Sequence, residues 1–280
     1  MSGHLKQKQE NSTLDHKRFQ FLELLVIWEG GIEAAAIKQQ FQISTQLAGH
    51  VISKYKSLYP NNLKFNGAQE NYQGGDDFVM QHCLGSLDEY IALSGHATPS
   101  IEMLATPMRK IEPKLVRPIL KAIRDKLRLN IHYASVSNPE YASRFIQPHN
   151  LVFDGLRWHV RAYCEKNNGY RDFVLSRFKG ESAAIAGEAA NGAQQDTLWN
   201  DMLQLEIMPD SRLDQNRKRI IAMDYDMDEK LGEFTKVIPV RGALLMYLMQ
   251  RLRLDRYHEK AEIQQIIVSP QCQQTLKSYL

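Results

Sequence analysis

The spacing of apolar residues changes at about residue 129, and this change constrains the fold more than any other feature of the sequence. Before it, apolar residues recur every three or four positions, which is typical of amphipathic helices. After it, apolar and polar residues alternate over short runs, which is typical of β-strands with one buried face. The chain is therefore predicted to be a multidomain α+β protein, with helices first and a small sheet in its middle.

The helical part begins with three short helices and a hairpin. The apolar spacing predicts the helices over 15–28, 33–41 and 44–59. Ser44 is a natural N-cap for the third helix, and Pro60 ends it. Two short strands then flank Asn66-Gly67, a common hairpin turn. This order is typical of a winged helix-turn-helix, with three helices of a generic bundle as the alternative.

A further helix within 112–130 connects these elements to the strands. Leu115, Ile119, Ile123 and Leu127 form its apolar stripe. Its basic residues also recur every three or four positions, at Lys114, Arg117, Lys121, Arg124 and Arg128. We interpret this basic stripe either as a relay between domains or as a solvated face.

The region 129–180 is predicted to be a small barrel or sandwich. Pro148 marks a bend or an edge position, and Asp154-Gly155 a hairpin turn. In the strand after that turn, alternation places Trp158, Val160, Ala162 and Cys164 on an apolar face, with Trp158 in the core. The opposite, open face carries Arg157, His159, Arg161 and Tyr163.

The pairing of the next hairpin is left open by the sequence. A two-residue turn pairs Tyr163 with Val174, whereas a three-residue turn pairs it with Phe173. A slip of one residue exchanges the two faces of a strand, so the choice decides which side Arg177 joins.

The rest of the chain divides into a linker and a small α+β module. The segment 179–196 is small, polar and rich in Gly and Ala, which is typical of a linker. Strand, helix, strand and helix patterns follow. The last of these helices, within 243–252, is a candidate dimer contact, with ordinary core packing as an equal alternative.

Composition argues against several classes of protein. Cys83, Cys164 and Cys272 are far apart and odd in number, so neither a disulfide framework nor a CxxC metal site is predicted. The N-terminus has no secretory apolar region, and no apolar run could span a bilayer. We expect a cytoplasmic protein without metal or other cofactor. The net charge is only +3, so nucleic-acid binding must depend on local patches.

Several segments resemble one protein family. RFIQPHNLVFDGLRWHVRAYC and RDFVLSRF, with ISTQLAGHVISKY upstream, resemble the WYL-domain transcriptional regulators. The name motif of that family, Trp-Tyr-Leu, reads Trp158-His159-Val160 here and so differs at two of three positions. Within the family, the chain is similar to the BrxR/CapW-type repressors of bacterial phage-defence operons. The resemblance covers nearly the whole chain and implies a homodimeric DNA-binding repressor whose SH3/Sm-like barrel senses a ligand.

This resemblance and the sequence pattern together divide the chain into five parts. We expect a winged helix-turn-helix over 1–97, a helical linker over 98–128, a WYL-type barrel over 129–180, a linker over 181–204 and a C-terminal α+β dimerisation module over 205–280.

DNA contacts are expected from the third helix and the hairpin. Residues near the N-terminus of a recognition helix read bases, where Gln suits adenine and Thr suits the thymine methyl, and lysines hold phosphates. The expected operator is an inverted repeat in double-stranded DNA. The predicted DNA-binding residues are Ser44, Thr45, Gln46, Gly49, His50, Ser53, Lys54, Lys56, Lys64 and Asn66.

A nucleotide or oligonucleotide ligand is expected at the WYL region. Guanidinium groups bind phosphate through two hydrogen bonds, and Tyr or His can stack on a base. The predicted ligand-binding residues are Ser135, Arg144, His159, Arg161, Tyr163, Arg171 and Arg177. Solvated arginines on an exposed face are the alternative.

Two other functions are weighed against a repressor. A nucleic-acid-processing enzyme would need metal ligands or paired carboxylates near the hairpin, and His149 with His159 is a weak set. An RNA-binding protein could use a small barrel. The winged-helix pattern favours duplex DNA, so no catalytic residue is predicted.

Overall fold

A computed structural model describes residues 2–94, 104, 107 and 111–279, with residues 2–12, 94 and 180–183 described by their backbone alone. It divides the chain into two units, Met1–Ala105 and Thr106–Leu280. The expected boundary between residues 97 and 98 lies outside the described residues. The helix expected to be a linker after that boundary belongs to the second unit.

The first unit is built from helices around one apolar core. Its helices are α1 (Ser2–Trp28), α2 (Ala34–Phe41), α3 (Thr45–Leu58) and α4 (Leu87–Ser94). Gly30, with φ +79°, adopts the left-handed conformation just after α1. Leu22 of α1, Ile37 of α2 and Val51 of α3 meet in the core. The three predicted helices of the helix-turn-helix are therefore present in the predicted order.

The predicted hairpin is present with a longer connection than a two-residue turn. Strands β1 (Leu63–Asn66) and β2 (Asn71–Gly74) pair in antiparallel fashion, with Asn66 opposite Asn71. Ile32 bridges to Tyr72, which adds a third segment beside the hairpin. This arrangement is that of a wing next to a helix-turn-helix.

The second unit begins with helix α5 packed on a five-stranded antiparallel sheet. The helix is α5 (Pro113–Asp125), and the strands are β3 (Leu127–Tyr133), β4 (Ala142–Phe153), β5 (Trp158–Cys164), β6 (Gly169–Val174) and β7 (Phe178–Glu188). Their order across the sheet is β6-β5-β4-β3-β7. In the described residues the outer strands β6 and β7 do not pair with each other. The sheet is therefore open there, and a closed SH3/Sm-like barrel is not confirmed.

Strand β4 bends at Pro148. It lies between β3 and β5, and its pairing with β5 shifts between Pro148 and Asn150. The residue therefore marks a bulge inside the sheet and not an edge. At the end of the strand, Phe153 lies opposite Trp158, and Gly155 adopts φ +93° in the predicted turn.

The segment 181–204, expected to be a linker, is largely structured. Strand β7 runs to Glu188, a short helix α6 spans Thr197–Asn200, and strand β8 (Met202–Pro209) begins soon afterwards. Small residues are typical of flexible linkers, but β7 obtains its order from pairing with β3 over many positions. The linker prediction is therefore wrong for most of this segment.

The C-terminal module has the predicted α+β character. Strands β9 (Asp228–Lys230), β10 (Glu233–Arg241) and β11 (Ile266–Val268) join β8 in the order β11-β8-β10-β9. Its helices are α7 (Gln215–Asp224), α8 (Leu245–Arg251), α9 (Ala261–Gln264) and α10 (Pro270–Leu276). Leu245 and Met249, on the candidate dimer helix α8, are buried in this module's own core with Leu205 and Ile207.

The basic stripe is shorter than predicted. Helix α5 ends at Asp125, and Arg128 lies on β3. There it donates two hydrogen bonds to Glu165, of 2.6 and 2.7 Å, and stacks on Phe145 at 3.8 Å. Lys121 and Arg124 each contact Asp125.

No described helix is long and apolar enough to cross a bilayer.

Candidate functional site

The N-terminal turn of helix α3 presents a polar surface to solvent. Ser44 caps the helix as predicted, because its Oγ accepts a hydrogen bond from the Leu47 N–H at 3.2 Å. Thr45, Gln46 and His50 are exposed. Their side chains form no hydrogen bond to any described residue, so they are available to an outside partner.

At Gly49, the backbone of this surface is not covered by a side chain. A Cβ built on it would meet no protein atom within 4 Å. Glycine inside a helix costs about 1 kcal/mol relative to alanine. Nothing in the described fold requires this cost, and a close approach of another molecule is a reason to keep it.

Several of the other predicted DNA contacts already have partners in the first unit. Lys54 forms an ion pair of 2.5 Å with Asp15, and Lys64 pairs with Asp76. Lys56 lies over the Tyr72 ring at 5.0 Å. Ser53 donates to the Gly49 carbonyl at 3.0 Å, and the Asn66 side chain accepts from the Ala68 N–H at 3.0 Å. These residues could still contact phosphate, but their local charge is partly compensated.

A buried carboxylate fixes α3 against α1. Glu23, fully buried on α1, accepts a hydrogen bond of 2.8 Å from the Tyr55 hydroxyl on α3. Glu23 also accepts from the backbone N–H of Gln81 and His82. Burial raises the pKa of Tyr55, and Glu23 adds to the increase. This network was not predicted from the sequence, although a single acid within the apolar run FLELLVIW is the signal that could have revealed it.

The hairpin of β5 and β6 has neither of the two predicted registers. Tyr163 lies opposite Tyr170, and the connection runs over residues 165–168, with Asn168 at φ +47°. His159 lies opposite Val174, and Arg161 opposite Asp172. Arg161, Asp172 and the two tyrosines therefore share one face of the sheet.

Arg161 is buried and already paired. Its Nε and Nη2 donate to the two carboxylate oxygens of Asp196, at 2.7 and 3.0 Å. Its Nη1 lies 3.4 Å from Asp172. Burial alone would raise the pKa of the Asp196 carboxyl and lower that of Arg161, but their pairing reverses both directions. The face predicted to be open is therefore covered and charge-compensated.

His159 and Tyr247 extend this cluster towards the C-terminal module. The His159 ring is buried and contacts Asp154 through Nε2 at 2.7 Å. Tyr247 of α8 packs on that ring at 4.9 Å and donates to Asp172 at 3.1 Å. The position that differs from the family's tyrosine thus joins the WYL sheet to α8.

Trp158 is not in the core as predicted. It is 44% exposed and packs at a tilt against Phe153, with ring centroids 5.0 Å apart. Val160, Ala162 and Cys164, on the same face, are fully buried. Alternation correctly identifies the face, but Trp158 is the first residue of its strand and lies beyond the core.

The predicted ligand residues do not form one site. Arg144 lies opposite Ile131 and Arg171 opposite Ala162, which puts both on the face away from Arg161. Arg171 is exposed on the edge strand. Tyr163 is half-buried on the Arg161 face.

A second group of predicted ligand residues gathers at the end of β3. The Arg144 guanidinium lies over the Tyr133 ring at 5.7 Å, and its Nε is buried without a hydrogen-bond partner. The Ala134 N–H donates to the Arg177 carbonyl at 3.2 Å, which brings Arg177 beside Ser135. Within the described residues, neither Arg144 nor Arg177 forms an ion pair.

The carboxylates of the buried cluster were not predicted. The observed register pairs Arg161 with Asp172, but the two predicted registers place Arg161 opposite Ser176 or Leu175. Asp154 contacts His159 across the predicted Asp154-Gly155 turn, which is a local signal. Asp196 gave no such signal, because it lies 35 residues away in a segment interpreted as a linker.

In the part of the chain that the structure describes, no group of three or more His, Cys, Asp or Glu side chains could hold a metal ion.

Comparisons with known proteins agree with this organisation. Residues 15–95 match the model of the BrxR transcriptional regulator winged helix-turn-helix domain. Residues 114–181 match the WYL domain, and residues 202–276 match the BrxR transcriptional regulator C-terminal dimerization domain.

Curated relatives match over most of the chain. A DNA-binding transcriptional repressor CapW of Escherichia coli (strain KTE188) is 31% identical over 267 residues, which cover 89% of this chain and 87% of the relative. The Pseudomonas aeruginosa CapW is 30% identical, with the same coverage. The Stenotrophomonas maltophilia CapW is 27% identical and covers 86% of this chain and 83% of its own length. These relatives are named as repressors and not as enzymes, which confirms the prediction of a non-enzymatic protein. The chain belongs to the CapW family of DNA-binding transcriptional repressors, with the domain order of the BrxR regulators.

Proposed function

We propose that the protein is a homodimeric, sequence-specific repressor that binds an inverted repeat in duplex DNA near its own promoter. The observation that carries this proposal is the exposed, unpartnered N-terminal turn of α3, with Thr45, Gln46 and His50 beside the bare Gly49 backbone. A recognition helix needs such a surface, because base edges are read by side chains that are not already engaged.

The dimer is supported by the C-terminal match to a dimerization domain. Two protomers related by a two-fold axis would present two α3 helices to two half-sites of opposite orientation. Because Lys54 and Lys64 are paired with carboxylates, non-specific attraction to DNA is weak, and more of the affinity must come from base contacts.

Ligand sensing is assigned to the end of β3, at Ser135, Arg144 and Arg177. The buried Nε of Arg144 has no acceptor in the described fold. A guanidinium N–H left without an acceptor is costly, and a phosphate oxygen would satisfy it. The buried Tyr133 ring lies beneath the guanidinium and holds it in place. A nucleotide or a short oligonucleotide carries the phosphate that such a site can bind.

The cellular role is inferred from the family resemblance and not from the site. The resemblance supports a phage-defence operon as the regulated target and the cytoplasm as the location. It also supports a small SH3/Sm-like barrel as the form of the five-stranded sheet.

A mobility-shift titration tests the proposal. Full-length protein is titrated into duplex DNA from upstream of its own gene, with a shuffled duplex and a single-stranded RNA of equal length as controls. The proposal requires the upstream duplex to bind at least about a hundredfold more tightly, which corresponds to about 2.8 kcal/mol. Equal binding of all three nucleic acids would exclude a sequence-specific repressor.

A further inference from the structure

The pairing of Arg161 with Asp196 has the geometry of an occupied anion site. A guanidinium binds the two oxygens of a carboxylate or a phosphate through the same pair of parallel hydrogen bonds. Here the carboxylate that accepts both hydrogen bonds belongs to the same chain, and the Arg161 and Asp196 side chains are almost fully buried. An isolated buried arginine would be unstable, so something anionic must occupy this position in every folded state.

We propose that Arg161 forms an oxyanion site that the chain fills with its own Asp196 carboxylate, and that a phosphate-bearing ligand competes with Asp196 for it. This inference rests on the proposed ligand-sensing function and adds a second, self-occupied subsite to it. Asp196 would act as an internal substitute for the ligand.

Asp196 accepts the two shortest hydrogen bonds of Arg161, from Nε and Nη2. Asp172 is the second carboxylate at Arg161, but its contact is longer, at 3.4 Å, and it is shared with the Tyr247 hydroxyl. Asp154 is engaged by His159 and by the backbone of Arg157. Neither supplies the two short hydrogen bonds of Asp196, so withdrawal of Asp196 leaves two buried N–H groups of Arg161 without an acceptor, which a phosphate could provide.

The segment that carries Asp196 is short and lies next to a cavity. Asp196 is the N-cap of α6, a helix of one turn, and it receives hydrogen bonds from the Trp199 N–H and contacts His149 Nε2. A cavity of about 420 Å³ is lined by His149, which contacts Asp196, and by Lys126 and residues 189–195. The cavity gives a phosphate-bearing ligand room to approach from the side of His149.

Displacement of this segment would reach the C-terminal module directly. Asp201 follows α6, and its carbonyl accepts the Gly242 N–H at 2.8 Å while its carboxylate accepts the Tyr279 hydroxyl at 3.1 Å. Strand β8 of the module matched to the dimerization domain begins one residue later. Only a few residues of chain separate Asp196 from the dimerization domain. Displacement of Asp196 by a ligand would therefore be transmitted to that domain along the backbone.

The test is the Asp196→Asn variant. Asparagine keeps the N-cap and the shape of the side chain but loses the charge that competes for Arg161. Binding of inorganic phosphate, and in a second arm of a deoxynucleoside monophosphate, is measured by titration calorimetry on the full chain. We expect both to bind at least about tenfold more tightly to the variant than to the unaltered protein. The second arm distinguishes a nucleotide ligand from free phosphate.

Two matched variants separate this effect from others. Asp214→Asn removes the charge of another N-cap aspartate, on α7, and should leave phosphate binding unchanged. The double variant Arg161→Gln with Asp196→Asn should lose the gain, because the guanidinium is gone. If Asp196→Asn is too unstable to titrate, its Tm in phosphate is compared with its Tm in chloride at equal ionic strength. A ligand that binds only the folded state raises the Tm, and this rise should occur in the variant and not in the unaltered protein.

The outcomes distinguish this inference from the repressor function. If Asp196→Asn binds phosphate no more tightly than the unaltered protein, and phosphate does not raise its Tm, the oxyanion site does not exist. A gain that persists in the double variant would also overturn it. Neither result bears on operator binding, which the mobility-shift titration measures on the unaltered protein.

Discussion

Arg161 and Asp196 are joined by two hydrogen bonds of 2.7 and 3.0 Å, although 35 residues separate them in sequence. The pair connects the centre of the WYL sheet to the turn that precedes α6. It converts a row of cationic side chains, which the sequence places on an open face, into a buried and compensated cluster. We therefore expect loss of the Arg161–Asp196 pair to destabilise the whole second unit.

Replacing Arg161 by alanine should destabilise the protein strongly. The change leaves Asp196 and Asp172 without their cation, and breaking a buried pair in this way costs about 3–5 kcal/mol. Urea unfolding at pH 7 measures the free energy of unfolding. Arg171→Ala, at an exposed position on the edge strand β6, is the control and should change it by less than about 0.5 kcal/mol. Similar small losses in both variants would show that the cluster contributes little.

Stability should fall at low pH because of Asp154. Burial by itself would raise the pKa of this carboxyl, but hydrogen bonds from His159 and from the Arg157 and Leu156 N–H groups outweigh it and lower the pKa to about 2. The folded pKa is below the ordinary value, so the contribution is present above about pH 4 and is lost as the pH falls through 2. Its size is about 2 kcal/mol.

The variant Asp154→Asn isolates this contribution, because asparagine can still accept the turn's backbone hydrogen bonds. Unfolding free energies of the two proteins are compared at pH 6 and at pH 2. The unaltered protein should lose about 2 kcal/mol more than the variant over this interval. Identical losses would mean that Asp154 does not carry the effect.

Gly49→Ala should raise stability and lower DNA affinity together. Alanine fits the open space at this position and favours the helix by about 1 kcal/mol. If DNA approaches the bare backbone, the added methyl should weaken operator binding on the order of tenfold. Ser57→Ala, in the last turn of the same helix, is the control for helix stabilisation without contact. A Gly49→Ala protein that is more stable and binds normally would place the DNA elsewhere.

Gln46→Ala and His50→Ala should reduce operator affinity more than affinity for random duplex. A base-edge contact carries about 1–3 kcal/mol of discrimination, which random DNA does not offer. Fluorescence anisotropy with both duplexes at one salt concentration gives the two losses. Equal losses on the two DNAs would assign these side chains to phosphate contacts.

Local sequence signals predicted local structure well. The Ser44 cap, the Pro60 stop and the apolar spacing of α1 to α3 depend on neighbours within a turn or two, and each is present. The strands of the WYL region were predicted for the same reason, because strand alternation is local. The three matched family models extend over these same parts of the chain.

Features that depend on distant residues were missed. The predicted registers of β5 and β6 were wrong because the turn spans four residues. Asn168 in that turn adopts a left-handed conformation, which asparagine tolerates. Arg161 was expected to be open, since nothing near it in sequence indicates that Asp196 would return to cover it. The first part of segment 181–204, up to Glu188, obtains its order from pairing with β3, which composition does not encode.

The most direct test of the central claim is the stoichiometry and symmetry of the protein–DNA complex. Native mass spectrometry of the full chain with its upstream duplex, combined with footprinting, counts the protomers and locates the half-sites. The account predicts two protomers on one duplex, protecting an inverted repeat whose half-sites are about one or two helical turns apart. One protomer on a single asymmetric site, or protection without symmetry, would contradict it.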